Sequence, residues 1–242
     1  KGSLLHTDIN VNDLTGVVTN PMQEAEASKV AIFAVADYAW NVKAFDDDKS
    51  WKDSFKYVDA QASEALHTLA KHMSNPQPNG HGLVLAESEE LQPLINKINQ
   101  QLTAGKLVDA DAKQMIAEMQ TIIDACKEFH AQSKNANLKK ELKPFTGSLA
   151  DLAKVIQEYV KAEMAVEAKD MFTAFNHYNT GYSALISSQK HERKMLNGSS
   201  MVSPGSTHLI PLAKKLQTKL SGPVNDYATG GVGSQQVEMT AT

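Results

Sequence analysis

The sequence predicts a mainly α protein: a helical bundle following the last strand–helix unit of an α/β barrel. Three observations carry that prediction. Two successive stretches repeat apolar residues in alternating steps of three and four, the signature of packed helices. One β-like run, Gly16-Val17-Val18-Thr19, stands alone in a chain that is otherwise helical in pattern. An unpaired strand exposes backbone donors and acceptors, so it reads as one piece of a sheet whose other strands lie elsewhere.

The elements follow in order. Residues 1–15 are polar and show no period; Lys1-Gly2-Ser3 reads as an expression scar or a mid-protein boundary. Asn20 stands where the short strand stops. From Pro21 to Asn41 the pattern is helical, with Pro in the first turn and Glu24 and Glu26 near the positive end of the helix dipole. Between Val30 and Trp40 it is apolar on nearly every side, with Asp37 the only charge. Such a helix is expected to be buried all round. Ser50-Trp51-Lys52-Asp53 offers a start for a short helix, and residues 59–73 read as another. Asn75-Pro76-Gln77-Pro78-Asn79-Gly80 is a break.

Helices are then predicted over 88–103 and 107–132. Leu91, Ile95, Ile98 and Leu102 form one seam; Val108, Ala112, Met115, Met119, Ile122, Cys126 and Phe129 form the next. The short connection at Gly105 implies that the two are antiparallel. Residues 135–147 read as a loop. A long helix is expected from Ser148 toward Lys190, with Gly181 as its possible interruption, and a last helix over about 208–220. Past Gly222 the composition suggests a linker-like tail, Gly230-Gly231-Val232-Gly233-Ser234 included. The division is therefore 1–41 as the end of a barrel, 42–221 as the bundle and 222–242 as the tail.

Composition narrows the function. A net charge of −4 lacks the basic face that phosphate binding requires, which excludes nucleic acid as a partner. No apolar run approaches the roughly 20 residues of a membrane span. The single cysteine, Cys126, excludes an internal disulfide and a thiolate cluster. The eight histidines lack ligand spacing: His67 and His72 are five apart, and His191-Glu192 has no second histidine one turn on. No metal site and no cofactor are expected.

Asn20 admits two readings. Ahead of Pro21, and with Gln23 in the first turn, it resembles a helix N-cap. It also lies at the C-terminal end of a strand, where barrel enzymes place binding side chains, and a carboxamide offers donor and acceptor to a vicinal diol.

The string Asn20-Pro21-Met22-Gln23-Glu24-Ala25-Glu26-Ala27-Ser28-Lys29, with Ala36-Asp37-Tyr38 and Trp40-Asn41 beyond it, resembles a signature of glycoside hydrolase family 84. These are the β-N-acetylglucosaminidases that include O-GlcNAcases and bacterial proteins called hyaluronidases. The specific likeness spans about residues 16–51. It implies a retaining, substrate-assisted hydrolase of terminal β-linked N-acetylglucosamine, in which the substrate's own acetamido group forms an oxazoline. Such enzymes are exceptions to the two-carboxylate scheme. The asparagine of the motif contacts sugar hydroxyls, so the resemblance assigns sugar binding to Asn20 alone.

The family's adjacent catalytic aspartates lie upstream of this motif. Asp46-Asp47-Asp48 falls after it and reads as a solvated turn, so the chain is expected to hold no catalytic residue and to be inactive alone. Asp37, Tyr38 and Trp40 are expected to be structural, at an interface between barrel and bundle. The implied partners are N-acetylglucosamine-containing glycans and adjoining modules of the same polypeptide; the implied location is secreted or on a bacterial cell surface. The competing reading is a stand-alone helical interaction module, in which Val17-Val18 is no strand and Asn20 is only a cap.

Overall fold

The computed structural model describes residues 5–10, 12, 15–20, 23–74, 85–193 and 202–230. Eight α-helices are present among them: α1 (Ala25–Trp40), α2 (Asp47–Val58), α3 (Ser63–Ala70), α4 (Gln92–Ala104), α5 (Asp109–Gln132), α6 (Ala136–Glu167), α7 (Met171–Ser188) and α8 (Leu209–Ala228). They form two compact units. One comprises residues 1–70 and 125–143; the other comprises 71–124 and 144–242. Helices α5 and α6 each contribute a segment to both.

In the first unit, α1 packs on α2 and α2 on α3. Rings make these joints. Phe33 stacks on Tyr57 at 5.0 Å, Tyr38 meets Phe45 edge-on at 5.3 Å, and His67 lies against both Trp51 and Phe55. The predicted strand is not there: Gly16 to Asn20 has no regular secondary structure, and no described residue is in a strand. A strand needs a paired neighbour, and the described chain supplies none. The expectation for α1 also needs correction. Its apolar surface is not buried all round; Ala31, Ile32, Ala36, Ala39 and Trp40 are exposed.

Both seams are buried, the first and most of the second within the second unit, with Cys126 and Phe129 at the end of the second seam within the first. Leu91, Ile95, Ile98 and Leu102 are buried, as are Ala112, Met115, Met119, Ile122, Cys126 and Phe129. Only Val108 at the start of the second seam is half-exposed. Gly105 ends α4 in the left-handed conformation (φ 86°), which glycine adopts without a Cβ clash. Gln101 bridges the joint, accepting from the Val108 N–H at 2.9 Å and donating to Asp111 at 2.6 Å.

Three boundaries differ from the sequence reading, each because burial outweighs a local breaker. Residues 135–147 are not a loop. Asn135 caps α6 through the Leu138 N–H at 3.0 Å, and the helix runs through Pro144 and Gly147. Its buried residues Leu138, Leu142, Leu149, Leu152, Ile156 and Tyr159 continue at helical spacing across both. The long helix then breaks at Lys169 (φ 61°) rather than at Gly181, and Asp170 caps α7 through the Thr173 N–H at 3.1 Å. Finally, α8 passes Gly222 and Pro223 to reach Ala228, because Leu212, Leu216, Leu220 and Val224 extend one buried face at four-residue steps. Lys215 and Lys219 from that helix donate to the carbonyls of Asn99 and Leu102, capping the end of α4.

Candidate functional site

The segment preceding α1 is extended and open. Val18 is 99% exposed, and Val17 and Asn20 are exposed with it. Pro21 and Met22 lie outside the described residues. The first helical residue is Ala25, and Glu24 holds the N-cap position in extended conformation without a side-chain cap bond. Asn20 is therefore not the N-cap of α1, contrary to one of its two readings. It stands five residues before the helix begins.

The N–H groups at the start of α1 are satisfied from far along the chain. The Glu141 carboxylate accepts from the Glu26 N–H at 2.9 and 3.1 Å and from the Ala27 N–H at 3.0 Å. A carboxylate there satisfies orphan donors and also lies at the positive end of the helix dipole. Glu26 itself accepts from Lys29 at 2.7 Å and from the Asn135 amide at 2.6 Å. Lys29 first, and Asn135 second, hold its carboxyl below the ordinary range. Asn135 is tied in turn to Ser133, whose hydroxyl donates to Asp59. The capping network thus joins α1, the α2–α3 connection and the α5–α6 connection. Sequence reasoning missed Glu141, because no local pattern links positions 115 residues apart.

The three residues expected at an interface separate. Tyr38 is buried, and its hydroxyl donates to the His6 carbonyl at 2.5 Å, fastening the leading segment to α1. Lys43 adds a bond to the Thr7 carbonyl at 3.0 Å. Asp37 is exposed, and Trp40 is 91% exposed. The acidic triplet is not a plain solvated turn. Asp46 caps α2 through the Lys49 N–H at 2.9 Å, and Asp47 and Asp48 occupy the first turn. No group of three or more His, Cys, Asp or Glu that could hold a metal ion occurs among the described residues. His72 bonds Ser88 at 2.9 Å, His177 bonds Glu158 at 2.6 Å and His191 bonds Asp151 at 2.9 Å. No described helix is long and apolar enough to cross a membrane.

A family model described as beta-N-acetylglucosaminidase matches residues 2–71. The solved structure of CpGH84D is similar over 91% of this chain, at 45% identity and a TM-score of 0.85. The chain is a glycoside hydrolase family 84 sequence. The match begins upstream of the Asn-Pro-Met motif, earlier than the sequence likeness at 16–51. A second structure, CpGH84B, shares the fold at 16% identity and a TM-score of 0.72 over 85% of this chain. The chain spans only about a third of either protein, 36% of CpGH84D and 34% of CpGH84B. The family 84 likeness thus covers both the motif region around Asn20 and the helices that follow.

Proposed function

We propose that this chain is the C-terminal part of a retaining, substrate-assisted β-N-acetylglucosaminidase, to which it supplies one sugar-binding residue, Asn20, and a structural helical region. The observation that carries the reading is the state of Asn20: it is exposed, precedes the helix by a full turn, and has no part in capping it. Its carboxamide is left to offer one acceptor and two donor hydrogens to neighbouring sugar hydroxyls. The exposed run Val17-Val18 ahead of it has the composition of a strand and no paired strand among the described residues. The exposed apolar residues of α1, Ile32 and Trp40 above all, are a surface for the rest of the same polypeptide to cover.

On this reading the acid, the base and the group that positions the acetamido nucleophile belong to the rest of the enzyme. This chain's part is orientation. A hydrogen-bonded hydroxyl pair fixes the ring against rotation, and positioning of that kind lowers the barrier without Asn20 touching the reacting bond. Terminal N-acetylglucosamine on a glycoconjugate is the substrate, and a bacterial surface or secreted location follows from the same reading.

The test is hydrolysis of a chromogenic β-N-acetylglucosaminide by the 242-residue chain and by the full-length protein. Activity is expected only in the full-length protein, with kcat/KM lowered on Asn20→Ala. Loss of one or two sugar hydrogen bonds predicts a fall of about ten- to a hundredfold, at roughly 1.4 kcal/mol per tenfold. Hydrolysis by the chain alone would return attention to Asp46, Asp47 and Asp48. The second reading, a helical interaction module, is favoured by the missing strand at Val17–Thr19; a full-length protein without activity would support it.

A further inference from the structure

Helix α7 lacks Asp, Glu, Lys and Arg throughout its 18 residues, Met171–Ser188. One side of it is nonetheless not covered by the described residues. Phe172 is 66% exposed, Tyr182 is 45% exposed, and Ile186 is exposed as well. At 100° per residue, positions 172, 175, 179, 182 and 186 fall within one third of the helix circumference, and the strip is about 21 Å long at 1.5 Å per residue. Asn179 sits in the middle of it, exposed. Solvent-facing helices normally carry charge on that side, so an uncharged strip of aromatic rings around an amide is a departure that asks for a partner.

One ring of the strip, Tyr182, is stacked on others behind it. Tyr159, fully buried, stacks on Tyr178 at 5.3 Å and 17° between planes; Tyr178 in turn stacks on Tyr182 at 6.3 Å and 9°. Three nearly parallel rings run from the core to the surface. Gly181 lets the innermost ring approach α7, since a Cβ there would lie 2.6 Å from Tyr159 Cε1. Tyr182 is thereby presented in one orientation before anything binds, and pre-ordering of this kind removes part of the entropy cost of association.

We propose that this face of α7 binds a neutral oligosaccharide, with a pyranose ring lying on Tyr182 and its hydroxyls meeting the Asn179 amide. The chemistry on both sides is complementary. A pyranose presents an apolar C–H face and a rim of uncharged donors and acceptors; the strip presents flat rings, uncharged amides and hydroxyls, and no Asp, Glu, Lys or Arg of its own helix to match a charged ligand. A nucleic acid or an anionic polysaccharide would find no lysine or arginine on this helix. This surface is independent of Asn20 and does not rest on the reading given for it, so either can fail alone.

The experiment is titration of the 242-residue chain with chitotetraose, followed by the Ile186 δ1-methyl resonance and by calorimetry. A hyaluronan tetrasaccharide serves as the charged comparison. The expected result is a saturable shift of the Ile186 methyl with chitotetraose. Tyr182→Ala should weaken binding at least tenfold, while Tyr182→Phe and Asn20→Ala retain it. Because Tyr182 is half-exposed, a thermal melt of Tyr182→Ala unchanged within a few degrees confirms that the fold survives. The proposal is overturned by an unmoved Ile186 methyl at millimolar chitotetraose. Equal affinity in Tyr182→Ala would overturn it too, as would tighter binding of the charged tetrasaccharide. Self-association that disappears in Phe172→Ser, without any response to sugar, would instead make the strip an interface between copies of the chain.

Discussion

Replacing Gly181 by alanine tests whether the packing of Tyr159 or the backbone of α7 decides stability at that point. In a helix interior, alanine is favoured over glycine by about 1 kcal/mol, so propensity alone predicts a gain. The new Cβ, however, would lie 2.6 Å from Tyr159 Cε1 and 2.7 Å from its Cδ1. Tyr159 is fully buried and stacked on Tyr178, so moving its ring out of the way gives up that packing. Overpacking of this kind costs about 1–3 kcal/mol, and after the gain of about 1 kcal/mol from propensity the net change should be a loss of up to about 2 kcal/mol. Gly147 supplies the contrast. A Cβ there would meet His191 ring atoms at 2.5 and 2.7 Å, an equally short approach. That ring is the far end of a half-buried side chain and can swing out, giving up its bond to Asp151. A partly exposed pair of this sort is worth about 0.2–1 kcal/mol, so Gly147→Ala should be neutral or slightly stabilising. Thermal unfolding by circular dichroism reads both. At about 2–4 °C per kcal/mol for a chain of this size, Gly181→Ala should melt up to about 8 °C lower, with Gly147→Ala at or above the parent. A melting point for Gly181→Ala equal to or above that of Gly147→Ala would refute the packing argument.

Three further outcomes are expected. The Tyr159 hydroxyl is buried without a partner among the described residues, so Tyr159→Phe should leave stability unchanged or raise it by up to about 1 kcal/mol; a clear loss in urea denaturation would show that the hydroxyl is bonded. Glu141→Ala removes the acceptor for two α1 N–H groups and should cost α1 about 1–2 kcal/mol, seen as roughly tenfold or faster amide exchange over Glu26–Ala31 and refuted by unchanged protection. Acid should destabilise the second unit in two stages. Burial holds His72 at about 4 against an ordinary 6.5; a base with a lowered folded-state pKa contributes stability above its unfolded value that fades as pH falls from 6.5 through 4. Glu158 is pushed up by burial but held at about 2 overall by hydrogen bonds from Lys154, His177 and Lys161, so its contribution is present above about 4.5 and is lost as pH falls toward 2. Urea midpoints measured from pH 8 to 2, with His72→Gln removing the first stage and Glu158→Gln the second, check the assignment.

The helical core was legible because its signal is periodic and local. The Leu91–Leu102 and Ala112–Phe129 seams are buried residue for residue, since three-and-four spacing sets a stripe on a helix without reference to its neighbours. Breakers were read too strongly. Pro144, Gly147, Gly181 and Gly222 all sit inside helices, where the buried faces of α6 and α8 outweigh a lost hydrogen bond or the entropy of a glycine. The real break at Lys169 carries no such flag, being a lysine in the left-handed region. Asn20 was ambiguous for a related reason. An asparagine before a helix reads as a cap whenever the first helical residue is uncertain, and the true acceptor for α1 is a carboxylate on α6.

That distant cap also bears on how α1 relates to the family motif. A helix capped by its own preceding residue fixes the path of the chain into it, because the capping side chain must lie over the first turn. Here Glu141 serves the first turn instead, and Tyr38 and Lys43 hold residues 6, 7 and 9 against the other end of the helix. The backbone from Gly16 to Asn20 is thus released from local duty at both ends. On the proposed reading, the segment needs that release to reach a site on the rest of a larger enzyme. If Asn20 also had to accept from the first turn of α1, its carboxamide could not face a sugar. On the proposed reading, the capping of α1 by Glu141, far along the chain, is what leaves the Asn-Pro-Met motif compatible with substrate contact.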